Sequence, residues 1–212
     1  MTVKPRLRGV LHQYAFAVSL LVGAALVVVA PSGPARAAVM IYALSMSGLF
    51  GTSALYHRID WSPRTRRWMR RLDHAMIFVL IAGTYTPFAL LVLDGALATA
   101  ILVGVWGGAV GGIIQQLVWA DAPKWLTSAI YVSLGAFAIL AMPAMLEAVG
   151  VVPVALVGLG GLLYIAGAGV YAMERPDPVP AVFGFHEVFH ALVIAAAVLQ
   201  CAVVAFWVLP VA

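Results

Sequence analysis

The chain has 212 residues, of which 64% are hydrophobic and only 9% charged, and its mean hydropathy is +1.06. Soluble domains carry roughly 25% charged residues, so this composition excludes a soluble enzyme or binding module and indicates an integral membrane protein. The formal charge of +4 does not indicate a nucleic-acid partner, because the basic residues are distributed as membrane orientation alone requires.

A helix that crosses a bilayer needs about 20 apolar residues. Runs of that kind fall at about 14–30, 38–57, 73–93, 96–119, 125–146, 151–173 and 185–209. The polar and apolar alternation of a membrane barrel is missing. The chain therefore reads as all-α, a single polytopic domain over 1–212 built as a seven-transmembrane-helix bundle.

The first run follows Lys4, Arg6 and Arg8 and precedes Ala35-Arg36-Ala37, which resembles a cleavable signal peptide. Its apolar stretch is long for that role, and it is read as the first helix. A loop at 58–72 follows the second run and carries Arg58, Arg64, Arg66, Arg67, Arg70 and Arg71 beside Trp61 and Trp68. Lys124 and Arg175 fall in later loops on the same side, and only Arg36 falls on the other. The positive-inside rule then places the N-terminus in the cytoplasm and the C-terminus outside, across a cell membrane.

In the third run Pro87, within Gly83-Thr84-Tyr85-Thr86-Pro87, removes a backbone hydrogen bond and is expected to kink the helix. The Thr84 and Thr86 hydroxyls are candidates to satisfy the freed groups. Gly104, Gly108 and Gly112 form a stripe in the fourth run, suited to close packing. Gly158, Gly160, Gly161, Gly167 and Gly169 give the sixth a similar character. Cys201, in the last run, has no second cysteine to pair with.

The chemistry concentrates near the basic face. His57 ends the second run, Asp73 and His74 begin the third, and His186 and His190 stand four apart at the start of the seventh. Residues i and i+4 share a helix face, so His186 and His190 can converge on one ion. The topology brings His57 and Asp73 to the same depth. Ionisable residues within membrane spans are costly and are usually paired or functional. Three imidazoles with an open fourth position are a usual ligand set for catalytic zinc, Zn2+, which lowers the pKa of a bound water toward about 7. Asp73 would then orient or deprotonate that water, or hold a ligand imidazole in place. Ser53, one turn deeper than His57 on the same face, points toward the same centre. His74 is rotated about 100° from Asp73 and is read as a supporting residue. His12, at the start of the first run, is read as interfacial and outside the site.

Ser53-Ala54-Leu55-Tyr56-His57, Leu72-Asp73-His74, Gly83-Thr84-Tyr85-Thr86-Pro87 and His186-Glu187-Val188-Phe189-His190 together resemble the hemolysin III family, bacterial relatives of the adiponectin and progestin receptors. The resemblance implies a seven-helix bundle with zinc on the histidines matching His57, His186 and His190, and a water near those matching Asp73 and Ser53. Ceramide-hydrolysing enzymes in the wider superfamily make hydrolysis of a lipid amide the expected chemistry, with a membrane lipid as substrate. The bacterial pattern carries a further histidine where this chain has Gln200, a position too far toward the other face to be a ligand.

Three other readings stand beside the hydrolase. His186-Glu187-Val188-Phe189-His190 also fits the H-E-x-x-H pattern of zinc peptidases, with Glu187 as general base. The zinc could be a structural tether in a receptor or regulator of membrane properties. Pore formation, the family's namesake activity, is the third.

Overall fold

Inside a bilayer the backbone must satisfy its own polar groups, and the computed structural model, which describes residues 4–31, 33–119 and 121–212, does so with helices. Their order is α1 (Val10–Val29), α2 (Gly33–Arg58), α3 (Pro63–Leu91), α4 (Gly95–Val118), α5 (Lys124–Gly135), α6 (Ala138–Val149), α7 (Val151–Met173) and α8 (Phe185–Val203). Among the described residues there is no strand, only an isolated bridge between Val179 and Phe183. Among the described residues, seven helical spans are long and apolar enough to cross a membrane, with α5 and α6 forming one and α8 running through Val211 in another.

Side chains such as Leu21 and Val118, apolar yet 75% and 80% exposed, cover the outside, the surface expected to face lipid. The spans of α2, α3 and α8 are 61%, 56% and 44% buried, against 17–22% for the others. These are the three helices that carry the predicted site, so the site lies in the packed centre of the bundle.

Two boundaries differ from the sequence expectation. The basic segment read as a loop to residue 72 is mostly helix, because α3 starts at Pro63. Ser62 caps it, accepting a hydrogen bond from the Thr65 N–H at 3.3 Å, and proline fits the first helical position because its missing N–H has no helical partner there. The fifth span, expected to be continuous, breaks after Gly135. There the Ile139 N–H turns to Ala136 O at 3.0 Å, and the freed Gly135 carbonyl accepts the Tyr85 hydroxyl of α3.

Pro87 lies inside α3 as expected. The threonine hydroxyls bond back to Leu80 O (Thr84, 2.8 Å) and Ala82 O (Thr86, 2.9 Å), so neither takes the Gly83 carbonyl that Pro87 leaves free. Trp106 of α4 donates to Thr86 Oγ1 at 3.2 Å. The α4 glycine stripe receives large side chains: a Cβ at Gly104, Gly108 or Gly112 would meet Phe137, Leu134 or Phe78 within 2.5 Å.

Candidate metal centre

The last turn of α2 presents His57, and the first two turns of α8 present His186 and His190 on one face. The three rings are 6%, 9% and 2% exposed. One ring nitrogen from each comes within 4.8 Å of the others. His57 Nε2 and His186 Nε2 are 3.1 Å apart, while His190 Nδ1 has no hydrogen-bond partner. Two nitrogens on one tetrahedral zinc at 2.0–2.1 Å would stand about 3.4 Å apart. The trio therefore offers the donor type for a metal ion, and His57 and His186 stand at close to the spacing it needs.

Asp73 Oδ2 lies 3.9 Å from His57 Nε2, with its side chain 12% exposed. Ser53, one turn before His57, is buried and interacts with the Asp73 carboxyl. The five predicted residues are thus brought together from three helices. His74 stands apart from the trio: its Nε2 is 3.2 Å from the Tyr171 hydroxyl of α7, and its carbonyl accepts from Tyr131 of α5 at 3.0 Å.

The centre sits where two cavities meet. On the basic face a vestibule of about 840 Å³ is lined by Arg8, Tyr56, Arg66, Arg70, Lys124 and Glu174 among others. Within the bundle lies an apolar cavity of about 370 Å³, whose walls include Leu49, Ile77, Phe88, Val157, Gly161 and Val193. Asp73, His74, Tyr171 and His186 line both. Ile139, Leu162 and Ile165 line the apolar cavity and are 64%, 64% and 50% exposed, so it opens sideways between α6 and α7 onto the apolar surface. Gln200 lines the same cavity, ten residues and about 15 Å of helix beyond His190, and it donates to Val157 O at 3.3 Å.

Two further buried residues pack beside the trio. His12, expected at the interface, is 2% exposed and stacks on His190 with ring centroids 3.7 Å apart and planes 8° from parallel. The available signal was its face: His12, Ser19, Gly23 and Leu26 are the buried positions of α1, one stripe at helical spacing. Glu187 is wholly buried. Its Oε1 is 2.6 Å from Arg8 Nε, and its Oε2 accepts the Gly184 N–H at 2.9 Å, which closes a capping box at the start of α8. Arg6 and Leu7 extend this tie, donating through their backbones to Ala181 O and Val182 O at 3.0 and 3.1 Å. Gly9 then turns the chain into α1 at φ +79°, and a Cβ there would lie 2.6 Å from His57 Cβ. Only glycine suits both demands.

The profile of the family described as Haemolysin-III related matches residues 1–201. Hemolysin-3 of Bacillus cereus is 33% identical over 172 residues, covering 81% of this chain and 75% of the relative. The Hemolysin-3 homolog of Bacillus subtilis (strain 168) is 33% identical over 154 residues, 73% of this chain and 69% of the relative. Monocyte to macrophage differentiation factor of Homo sapiens is 26% identical over 161 residues, 74% of this chain and 64% of the relative.

Proposed function

This multi-pass membrane protein belongs to the Haemolysin-III related family, and from that premise we propose that it hydrolyses a membrane lipid amide with zinc held by His57, His186 and His190. The observation that carries this reading is position: buried imidazoles and a carboxylate stand where an apolar cavity meets a polar vestibule. A lipid amide has the matching shape, with an acyl chain on one side of the scissile bond and a polar headgroup on the other.

Zinc bound there supplies Lewis acidity to both a water and the substrate carbonyl. Asp73 accepts the proton of the attacking water at a carboxylate oxygen and returns it to the leaving amine. Ser53 fixes the carboxyl through its hydroxyl. The walls of the apolar cavity hold the acyl chain and exclude water from its length, and the opening between α6 and α7 admits it from the bilayer. Arg8 and Lys124 line the headgroup side.

Glu187 argues against the peptidase reading, since it lines neither cavity and its two oxygens are engaged by Arg8 and Gly184. The test combines metal content with hydrolysis of ceramide by protein in liposomes. We expect about one zinc per chain and turnover that Asp73→Ala abolishes while the zinc remains. Zinc without turnover of any lipid amide would sink the hydrolase and leave a tether between α2 and α8, as a receptor or regulator requires. Ion leakage that survives Asp73→Ala would instead support a pore.

A further inference from the structure

His12 is more than packing. Its ring is 2% exposed, it lines the apolar cavity, and beyond a contact with the His190 backbone its nitrogens make no well-formed hydrogen bond in the protein. A neutral imidazole carries one N–H donor and one acceptor nitrogen, and buried polar atoms left unpaired are rare enough to need an explanation. Phe50 packs against the ring with centroids 5.1 Å apart and His190 covers it at 3.7 Å. The partner for the remaining nitrogen must come from the cavity that the ring lines.

The stacking also excludes the obvious alternative of a fourth metal ligand. Imidazole binds a metal through a lone pair in the plane of its ring. The planes of His12 and His190 are only 8° from parallel and their centroids are 3.7 Å apart, so an ion in the plane of His190 lies well out of the plane of His12. His12 stands beside the metal position without pointing at it.

We propose that His12 is an amide-recognition residue of the apolar cavity, its remaining ring nitrogen accepting a hydrogen bond from the N–H of an uncharged lipid amide. This rests on the reading of the site as one for lipid amides and adds a recognition residue from α1 to it. An uncharged donor is the better match, because the aromatic faces of Phe50 and His190 pack against the ring.

The test compares two probes, dodecanamide and N,N-dimethyldodecanamide, which share a chain and a carbonyl but differ in the N–H. Binding is measured by scintillation proximity to zinc-loaded full-length protein in nanodiscs, with zinc content and thermal melting recorded for every variant. Wild type should bind dodecanamide about tenfold more tightly, the effect of one buried hydrogen bond. His12→Phe, which retains the stacked ring and the zinc, should bind both amides alike, and His12→Leu serves as the second apolar replacement. Equal binding by wild type, or a preference that persists in either folded variant, overturns the role of His12 alone. Wild type that binds neither amide overturns the lipid-amide reading as well.

Discussion

Arg8 and Glu187 give the sharpest test of how the N-terminal segment is fastened to the site. Glu187→Gln removes the negative charge but keeps an amide oxygen for the Gly184 N–H, so the change isolates the ion pair. The contact is an ion pair, and such pairs range from about 0–1 kcal/mol when exposed to about 3–5 kcal/mol when one partner is removed from a buried pair. With the Arg8 side chain 20% exposed and its partner 1%, the expected loss falls between these, at about 2 kcal/mol. In a chain of this size each kcal/mol moves Tm by about 2–4 °C, hence a drop of about 4–8 °C. Arg8→Gln should cost more, because it strands a carboxylate that is only 1% exposed, and an unpaired buried charge costs about 3–5 kcal/mol. Tryptophan-fluorescence melting of both variants in nanodiscs checks the order. If Glu187→Gln melts with wild type, or if Arg8→Gln is the milder change, the tie does not hold the segment.

Alanine at His57, His186 or His190 should each lower bound zinc to well under half of the wild-type content by atomic absorption, since two imidazoles leave the tetrahedral set half filled. Gly112→Ala forces a Cβ to within 2.2 Å of the Phe78 ring, itself fully buried, and overpacking of this kind costs about 1–3 kcal/mol, read as a lowered Tm. Gly161→Leu meets nothing within 4 Å of its Cβ and projects into the apolar cavity, so it should leave Tm unchanged and weaken acyl-chain binding several-fold in the proximity assay. Outside the membrane spans, the hydrogen bond from Arg70 holds the Asp121 carboxyl below its ordinary value. A depressed folded-state value gives stabilisation that is complete above the unfolded value and lost as pH falls through the folded one. The Tm gap between wild type and Asp121→Asn should therefore be constant above about pH 5 and close on acidification.

Much of the architecture was legible because membrane burial leaves a coarse signal. The sixth span matches α7 at both ends, and the His186/His190 pair, once given a depth, pointed to His57 and Asp73. The start of α3 was hidden because its arginines cancel the hydropathy, although Ser62-Pro63 marks a helix start by capping and backbone geometry alone. The break between α5 and α6 could not be read locally: it is stabilised by Tyr85, a residue about fifty positions away on another helix. His12 was misplaced because its depth was judged by distance from the end of the helix. Its burial depends on which face of α1 it occupies. The tie through Glu187 could not be read locally either, since its partner Arg8 lies at the opposite end of the chain.

That union of the two ends sets the order in which the centre can be made. A chain synthesised from its N-terminus releases α1, α2 and α3 early, with His12, His57 and Asp73 in place, whereas His186 and His190 emerge only with the final span. Until α8 inserts, a nascent chain holds one of the three converging imidazoles, and Arg8 has no carboxylate to meet. Metal capture would then report completed insertion, and any truncation before residue 185 would leave a membrane-inserted bundle unable to load.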